Sequence, residues 1–589
     1  MSEQIQLKQD QRFDEDFAIG FVDIVILGVA ATVFALPMLL YGPMVKGHDT
    51  YEHLNYGRHF AEQFWGGEWF PRWLLNMNHG LGTPTLFVYP PLPSYMYALL
   101  QPLGRLLHLD PFRAGEYLAL LGSGVTAFLW IHTLARRRIA LASAVLYMLM
   151  PYHLAADFYR RTALSECWAL VWMPLVLYFA SQILRNRNAL LGLAMAYGLL
   201  IVSHLVSVLI FSVIPIVVIP MLAAREQRLR TAIRIAAGMA LGTGLSCFYF
   251  LPALDHAKYF PPARLLSPPY YFLGTNFISG SDLTRSGGEN GGFIHWVSLF
   301  ALSMVAFIAI CGFTVWRKGQ PDSKRPAVWW MAVCVVPVFL MSNVSLPLWE
   351  STPALLNGVQ YPWRFNMVLC LAGLVVGALF MSEAPRLSRT GRAAEFGLLG
   401  LIILSWLLSY GQVWKRYKID VYAANPRDFV NEDDGWFDAW TAPGTDQVSA
   451  LAASRGPRVQ FSDGNGSADV KQWKARDIEF RTQSSAGGWV RIHQFYYPRW
   501  NAMAVGAVEP LEIRAALPEG VVEVKVPSGA QEVRVEIPVG IAERAGRWIS
   551  FGCVLLCGML AWRGSAPRSA ARVLSSDEQS DENAAVTTA

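Results

Sequence analysis

The chain has 589 residues, of which 53% are hydrophobic and only 16% charged, and its mean hydropathy is +0.30. That is more apolar surface than water-soluble domains of ordinary composition bury, so a bilayer is the natural solvent for much of it. The formal charge is +5, with Lys and Arg in short runs between apolar stretches; without a broad basic face, nucleic acid is excluded as an expected partner.

Residues 1–17 are polar and acidic and lack the basic n-region of a cleaved signal, so they are read as a cytoplasmic N-terminus ahead of a retained anchor. At roughly 20 residues per crossing, apolar stretches at 18–41, 114–135, 139–154, 167–184, 188–204, 206–222, 231–253, 293–315, 326–342, 365–381, 395–411 and 546–562 predict about twelve transmembrane helices. Basic clusters at 136–138, 185–187, 225–230, 317–318, 386–392 and 563–572 fall on alternate connections. One consistent orientation requires this, and the positive-inside rule then makes both termini cytoplasmic in an inner membrane. Counting the apolar run Tyr89–Leu107 as a crossing would move Arg136, Arg137 and Arg138 outside. It is therefore read as a re-entrant or surface-lying helix within a first outer loop, 42–113.

The helical domain 18–411 is followed by a change of composition over 412–545. Segments such as ARDIEFRT, WVRIHQFY, VVEVKVP and EVRVEIP alternate apolar and polar residues between Gly and Pro, which predicts an extracytoplasmic β-sandwich. A last crossing at 546–562 leaves 563–589 as a disordered cytoplasmic tail. The seven cysteines all lie in apolar segments, so neither disulfides nor a Cys-based metal site is expected.

With this topology the outer connections collect ionisable residues, which at membrane depth are costly unless paired or facing an aqueous cavity. In GHDTYEH, residues 47–53, a helix would place Asp49, Glu52 and His53 on one face. Two carboxylates and an imidazole there suit a general base or a divalent cation such as Mg or Mn; the alternative for Asp49 is a helix cap. In NHGLGTPTLFVYPPLPSY, residues 78–95, His79 and Tyr89 sit in a Gly- and Pro-rich segment suited to an ordered loop over a site, or to an interfacial turn. Arg160 and Arg161 in DFYRRTALSE suit phosphate, or an anchoring pair with Glu166. His204 follows on the same face, and Tyr361 and Arg364 in QYPWRF add a second phosphate candidate or a snorkelling helix start.

The series GHDTYEHLNYG, NHGLGTP, YPPLPSY, PYHLAADFYRRTALSE, WMPLVLY, SHL, GLSCFYFLPAL and QYPWRF resembles the bacterial and archaeal membrane proteins labelled 6-pyruvoyl-tetrahydropterin synthase-related. More distantly it is similar to YfhO-like proteins and to the GT-C superfamily of polyprenyl-phosphate-dependent glycosyltransferases, with FYYPRWNAMAVG resembling the extracytoplasmic domain of YfhO-like members. The pterin label carries no chemistry into this sequence, which lacks the zinc-binding histidine cluster of such a synthase. The GT-C resemblance implies an acidic residue in the first outer loop as base or metal ligand, and Asp49 occupies that place with Glu52 as second carboxylate. Their D-x-x-E spacing departs from the D-x-D or E-x-D of some members. By the same analogy Arg160, Arg161 or Arg364 holds the lipid phosphate of a polyprenyl-phosphate sugar. Asp49 takes the proton from a hydroxyl of a glycan or lipid acceptor, and the anomeric carbon inverts. Trp436, Trp440, Trp489 and Trp500 are offered as stacking surfaces or as core. Two other classes fit an outer polar face: a transporter or flippase for lipid-linked saccharides, and a non-catalytic envelope assembly factor.

Overall fold

The computed structural model describes residues 19–42, 47–186, 188–260, 276–278, 288–352, 356–386, 389–422 and 441–565. The polar start, the tail beyond 565, Trp436 and Trp440 lie outside them. Among the described residues ten helices are long and apolar enough to cross a membrane. The pair Arg225–Leu245 and Cys247–Tyr259, bent by 74°, makes an eleventh if it is one crossing. The difference from twelve lies at 188–204, where the helix is Ala189–Ser203, 15 residues. At 1.5 Å per residue it is about 22 Å long, short of a hydrocarbon core of about 30 Å.

The helices run alternately up and down when the short Ala189–Ser203 is counted as the return between Leu164–Ser181 and Leu205–Leu222, and polar contacts gather at one end of the bundle. At one end the first and third crossings begin side by side, with Arg137 paired to Asp23. There too Arg325, at the start of Pro321–Met341, donates to the Ala223 carbonyl at the foot of Val213–Leu222, 3.0 Å away. Lys318 and Glu395 meet at 2.8 Å, and Ser323 donates to Glu383 at 2.7 Å. These contacts join the connections that carry the basic clusters. The opposite end carries the first loop and the sandwich.

In that loop Thr50–Trp65 and Leu92–Leu107, each 16 residues, pack as a hairpin. Leu92–Leu107 is not among the helices long and apolar enough to cross a membrane. It buries Ala98 and Gly104 while Leu99, Leu103, Leu106 and Leu107 stay exposed, an amphipathic pattern.

Beyond the bundle, β1 (Val459–Phe461), β2 (Ser467–Lys474), β3 (Asp477–Ser484), β4 (Gly488–Phe495), β5 (Asn501–Ala504), β6 (Ile513–Ala516), β7 (Val521–Val526) and β8 (Gly529–Glu536) form two antiparallel four-stranded sheets. Their orders are β1-β4-β7-β6 and β2-β3-β8-β5. Alternate side chains fill the space between them: Ile478, Phe480, Val490, Ile492, Val533 and Val535 are fully buried, as period-two patterning dictates. The domain is narrower than 412–545. The helix Arg389–Tyr422 runs past 411, because no Gly or Pro interrupts VWKRYKID, and the last helix starts at Ile541 once Pro538 and Gly540 are passed. Trp500 is core, packed on Trp73, whereas Trp489 lies on an outer face with Arg514 stacked over its ring at 3.7 Å.

Candidate functional site

Three segments converge at the first-loop end of the bundle: the start of Thr50–Trp65, the π-helical turn Tyr152–Arg161 running into Leu164–Ser181, and the 3-10 turn Pro362–Phe365. A π-helix is wider than an α-helix and rarely lasts ten residues, and such turns concentrate at functional sites. Two residues with side chains, Thr162 (φ 56°) and Gln360 (φ 64°), occupy the left-handed region at the edges of these segments. That conformation is strained outside glycine and persists only where surroundings enforce it.

Arg161 is the centre. Its Nη1 donates to Asp157 Oδ1 and to Glu166 Oε2, both at 2.6 Å, and its Nη2 to Asp49 Oδ2 at 3.3 Å. Its guanidinium lies 4.9 Å from the centre of the Trp363 ring. Tyr152 donates to the other oxygen of Glu166 at 2.6 Å. Arg364 Nε stands 3.6 Å from Glu166, while its Nη1 donates to Gln360 Oε1 at 2.7 Å and to the Val359 carbonyl at 3.0 Å; Tyr361 stacks beneath it at 5.1 Å. Asp157, Glu166, Arg161 and Arg364 are all buried, and only Asp49, with 38% of its side chain exposed, reaches accessible space. Its main chain is fixed as well, the Asp49 N–H donating to the Arg161 carbonyl at 2.8 Å. Asp49 stands at the N-cap position of Thr50–Trp65, yet its side chain makes no capping bond. Arginine held by buried carboxylates is expensive to assemble and cannot lose a partner cheaply.

A second group packs beside Asp49. His53, 5% exposed, has Nε2 at 3.5 Å from Tyr89 Oη, which accepts from Ser165 Oγ at 3.3 Å. Burial pushes the His53 pKa down to about 4, partly opposed by Asp49, so the ring is neutral at neutral pH. Below pH 6.5 the unfolded chain takes up a proton here that the folded protein refuses until about pH 4. Stability is therefore full above pH 6.5 and declines as pH falls through that window, by roughly 3 kcal/mol in total. Thermal unfolding across pH 4–7 checks this: His53→Gln should flatten the acid limb relative to wild type.

Of the residues singled out from sequence, Asp49, His53, Tyr89, Arg161, Glu166, Tyr361 and Arg364 come together. Glu52, half-buried in the first helical turn, lies within electrostatic range of Tyr56 and Tyr89. His204 hydrogen-bonds Ser207 at 2.8 Å and lies within such range of Glu166 and Arg364. The half-buried Arg160 borders the site, its carbonyl accepting from the His48 N–H at 3.4 Å. His79 does not join them: its turn, Asn78–Gly82, is pressed against β4 of the sandwich, with the His79 carbonyl against His493. Arg161 pairs with Glu166, the anchoring contact, and with Asp157 and Asp49, while Arg364 donates to Gln360 and the Val359 carbonyl and is buried, so it does not snorkel. Asp157 was on this face in the sequence without a role; its i,i+4 spacing to Arg161 is a signal that could have found it. Nothing in the sequence pointed to Tyr152.

The residues at hand do not fit a resident cation by themselves. Asp49 already shares Arg161, Glu52 supplies one further carboxylate, and hard cations ask for about six oxygens.

The sandwich fixes the loop that delivers Tyr89. Gln494, fully buried, accepts from Trp73 Nε1 at 2.6 Å and donates to the carbonyls of Gly80 (2.6 Å) and His493 (2.8 Å), and the Phe495 N–H donates to the Leu81 carbonyl at 2.6 Å. Further along, Phe87 stacks on His256 at 4.1 Å, and Tyr249 donates to the Val88 carbonyl at 2.7 Å. Gln494→Leu keeps the volume and strips these partners, leaving a buried indole N–H and a carbonyl unsatisfied. We expect a loss of about 2–3 kcal/mol, read as a lower melting temperature and faster protease cleavage within 73–89.

Fold and site define a polytopic α-helical membrane protein with a buried ion cluster at one end of its bundle and a sandwich domain docked on the first loop at that end. The chain belongs to the family described as 6-pyruvoyl-tetrahydropterin synthase related domain, a membrane protein family, which matches residues 86–413. No curated protein matches it significantly. Among solved structures it is similar to the cryo-EM structure of the arabinofuranosyltransferase AftD from Mycobacteria, at 17% identity and a TM-score of 0.41 over 66% of this chain and 26% of that one. It is also similar to the apo crystal structure of ArnT from Cupriavidus metallidurans, at 16% identity and a TM-score of 0.28 over 61% and 77% of the two chains. The chain thus spans about a quarter of the AftD chain.

Proposed function

We propose that the protein is an inverting GT-C-type glycosyltransferase, moving a sugar from a polyprenyl-phosphate donor to an envelope glycan or lipid acceptor at the extracytoplasmic face. The observation that carries this reading is Asp49: a carboxylate open to accessible space, with backbone and side chain both tied to a buried arginine cluster. Such a group is preorganised to accept a proton without being free to swing away.

In this reading the acceptor hydroxyl gives its proton to Asp49 as its oxygen attacks the anomeric carbon. The bond from that carbon to the phosphate oxygen breaks, and the electron pair leaves with polyprenyl phosphate, already a stable anion that asks for no strong general acid. Arg161 holds Asp49 in place. Arg160, the least enclosed of the three arginines, is the candidate for the phosphate. His53, neutral, and Tyr89 orient the acceptor side by hydrogen bonding.

The test is a transfer assay on purified protein in lipid, offering a panel of polyprenyl-phosphate sugars and envelope glycan acceptors. Transfer that inverts the anomeric centre and disappears in Asp49→Asn supports the proposal. No transfer across the panel, with Asp49→Asn still complementing a deletion strain, overturns it in favour of an assembly or transport role.

A further inference from the structure

The sandwich carries a cleft of about 290 Å³ between the helix Gln447–Ala453 and the outer face of the β1-β4-β7-β6 sheet, just below the roughly 300–1,000 Å³ of small-molecule sites. None of the residues around Asp49 lines it. Strand alternation creates its polar wall: Val490 and Ile492 point into the core, which turns Arg491 and His493 outward beside Gln460 of β1. Ser449 on the helix and Glu519 ahead of β7 complete that wall, and Ala452, Ala453 and Pro457 supply small apolar surface.

The charges of this cleft are already balanced. Arg491 donates to Glu519 Oε1 at 2.7 Å and stands 3.5 Å from Glu523, which Arg514 also holds at 2.8 Å. An ionised ligand would meet no unpaired counter-charge. What stays available is the Gln460 amide, which both donates and accepts, and Ser449 Oγ as an acceptor, its hydrogen being given to Asp446 Oδ2 at 2.7 Å; Glu519 Oε2 is buried and has no hydrogen-bond donor among the described residues. Donors and acceptors interleaved with small apolar patches match a ligand whose hydroxyls and C–H faces alternate. The back of the cleft is His493, whose ring faces the carbonyls of His79 and Gly456, and the next residue, Gln494, holds the loop that ends at Tyr89. An occupant would thus lie against the element that shapes the Asp49 site.

We propose that this cleft binds an uncharged saccharide and serves as a docking site for the acceptor glycan; only the word acceptor rests on the glycosyltransferase reading. Two variants probe it without touching the core. Ala452→Trp fills the cleft from an exposed helix position, and Gln460→Ala removes an exposed amide. Full-length protein in lipid discs is titrated with short neutral hexose and pentose oligomers, with saturation-transfer NMR and calorimetry as readouts. The expected result is saturable binding, abolished in Ala452→Trp, weakened about tenfold in Gln460→Ala, and unchanged in Asp49→Asn. In the transfer assay Ala452→Trp should raise the acceptor KM about tenfold and leave kcat near wild type. No binding by wild type, binding that survives Ala452→Trp, or binding of extended peptides in place of the oligomers overturns the cleft. Binding without any transfer sinks the glycosyltransferase reading alone, and transfer with unchanged kinetics in Ala452→Trp sinks the cleft alone.

Discussion

Asp49→Asn is expected to lower sugar transfer by about 10²–10⁴-fold, the span that a positioned general base contributes, while the protein remains folded. The stability half of that expectation follows from exposure. Asp49 has 38% of its side chain accessible and contacts Arg161 at 3.3 Å, the longest of that arginine's three carboxylate contacts. Part-exposed pairs of this kind contribute about 0–1 kcal/mol, and Arg161 keeps two buried partners when Asp49 is neutralised. A melting temperature within a few degrees of wild type, beside a collapse of transfer, separates a chemical role from a structural one. Asp49→Glu should recover part of the rate, since the carboxylate returns with its reach altered. If Asp49→Asn transfers at the wild-type rate, Asp49 is not the base, and Glu52, one helical turn further on, becomes the residue to test.

The largest effect on stability is expected at Arg161. Asp157 is 0% and Glu166 1% exposed, and both lean on one guanidinium nitrogen at 2.6 Å. Arg161→Met leaves two carboxylates buried side by side with Arg364 as the remaining cation. Removing one partner of a buried ionic group costs about 3–5 kcal/mol, enough to unfold a marginal membrane domain or abolish its accumulation. The compensated triple variant Arg161→Met, Asp157→Asn, Glu166→Gln should regain most of that loss, because the charges that needed the arginine are gone. Thermal unfolding in detergent reads both. An Arg161→Met protein as stable as wild type would mean that the two carboxylates are held by something other than this arginine.

The two variants also part the functions of the cluster. Asp49 is its exposed tip and Arg161 its buried root, so the first should alter turnover at constant stability and the second should alter both. Gln494→Leu stands apart from them, since its effect passes through the loop 73–89 to Tyr89 and leaves the carboxylates untouched.

Sequence by itself determined the elements whose signal is local. Apolar length marked the crossings, and the basic clusters on alternate connections gave a sense of alternation that the contacts Asp23–Arg137 and Lys318–Glu395 repeat in space. Period-two patterning located β3, β4, β7 and β8, and the spacing in GHDTYEH put Asp49 and His53 together. What depended on distance along the chain had to wait for the tertiary structure. No local pattern could say that Arg161 would meet three carboxylates, because that depends on Asp49, 112 positions away, and on a π-helical turn that ordinary helical periodicity does not encode. Nor could it say that His79 would leave the site for the sandwich, or that Gln494, 421 positions from Trp73, would clamp the first loop. Burial and pairing are properties of converging segments, and in this chain they divide the exposed carboxylate of Asp49 from the buried ions that hold it.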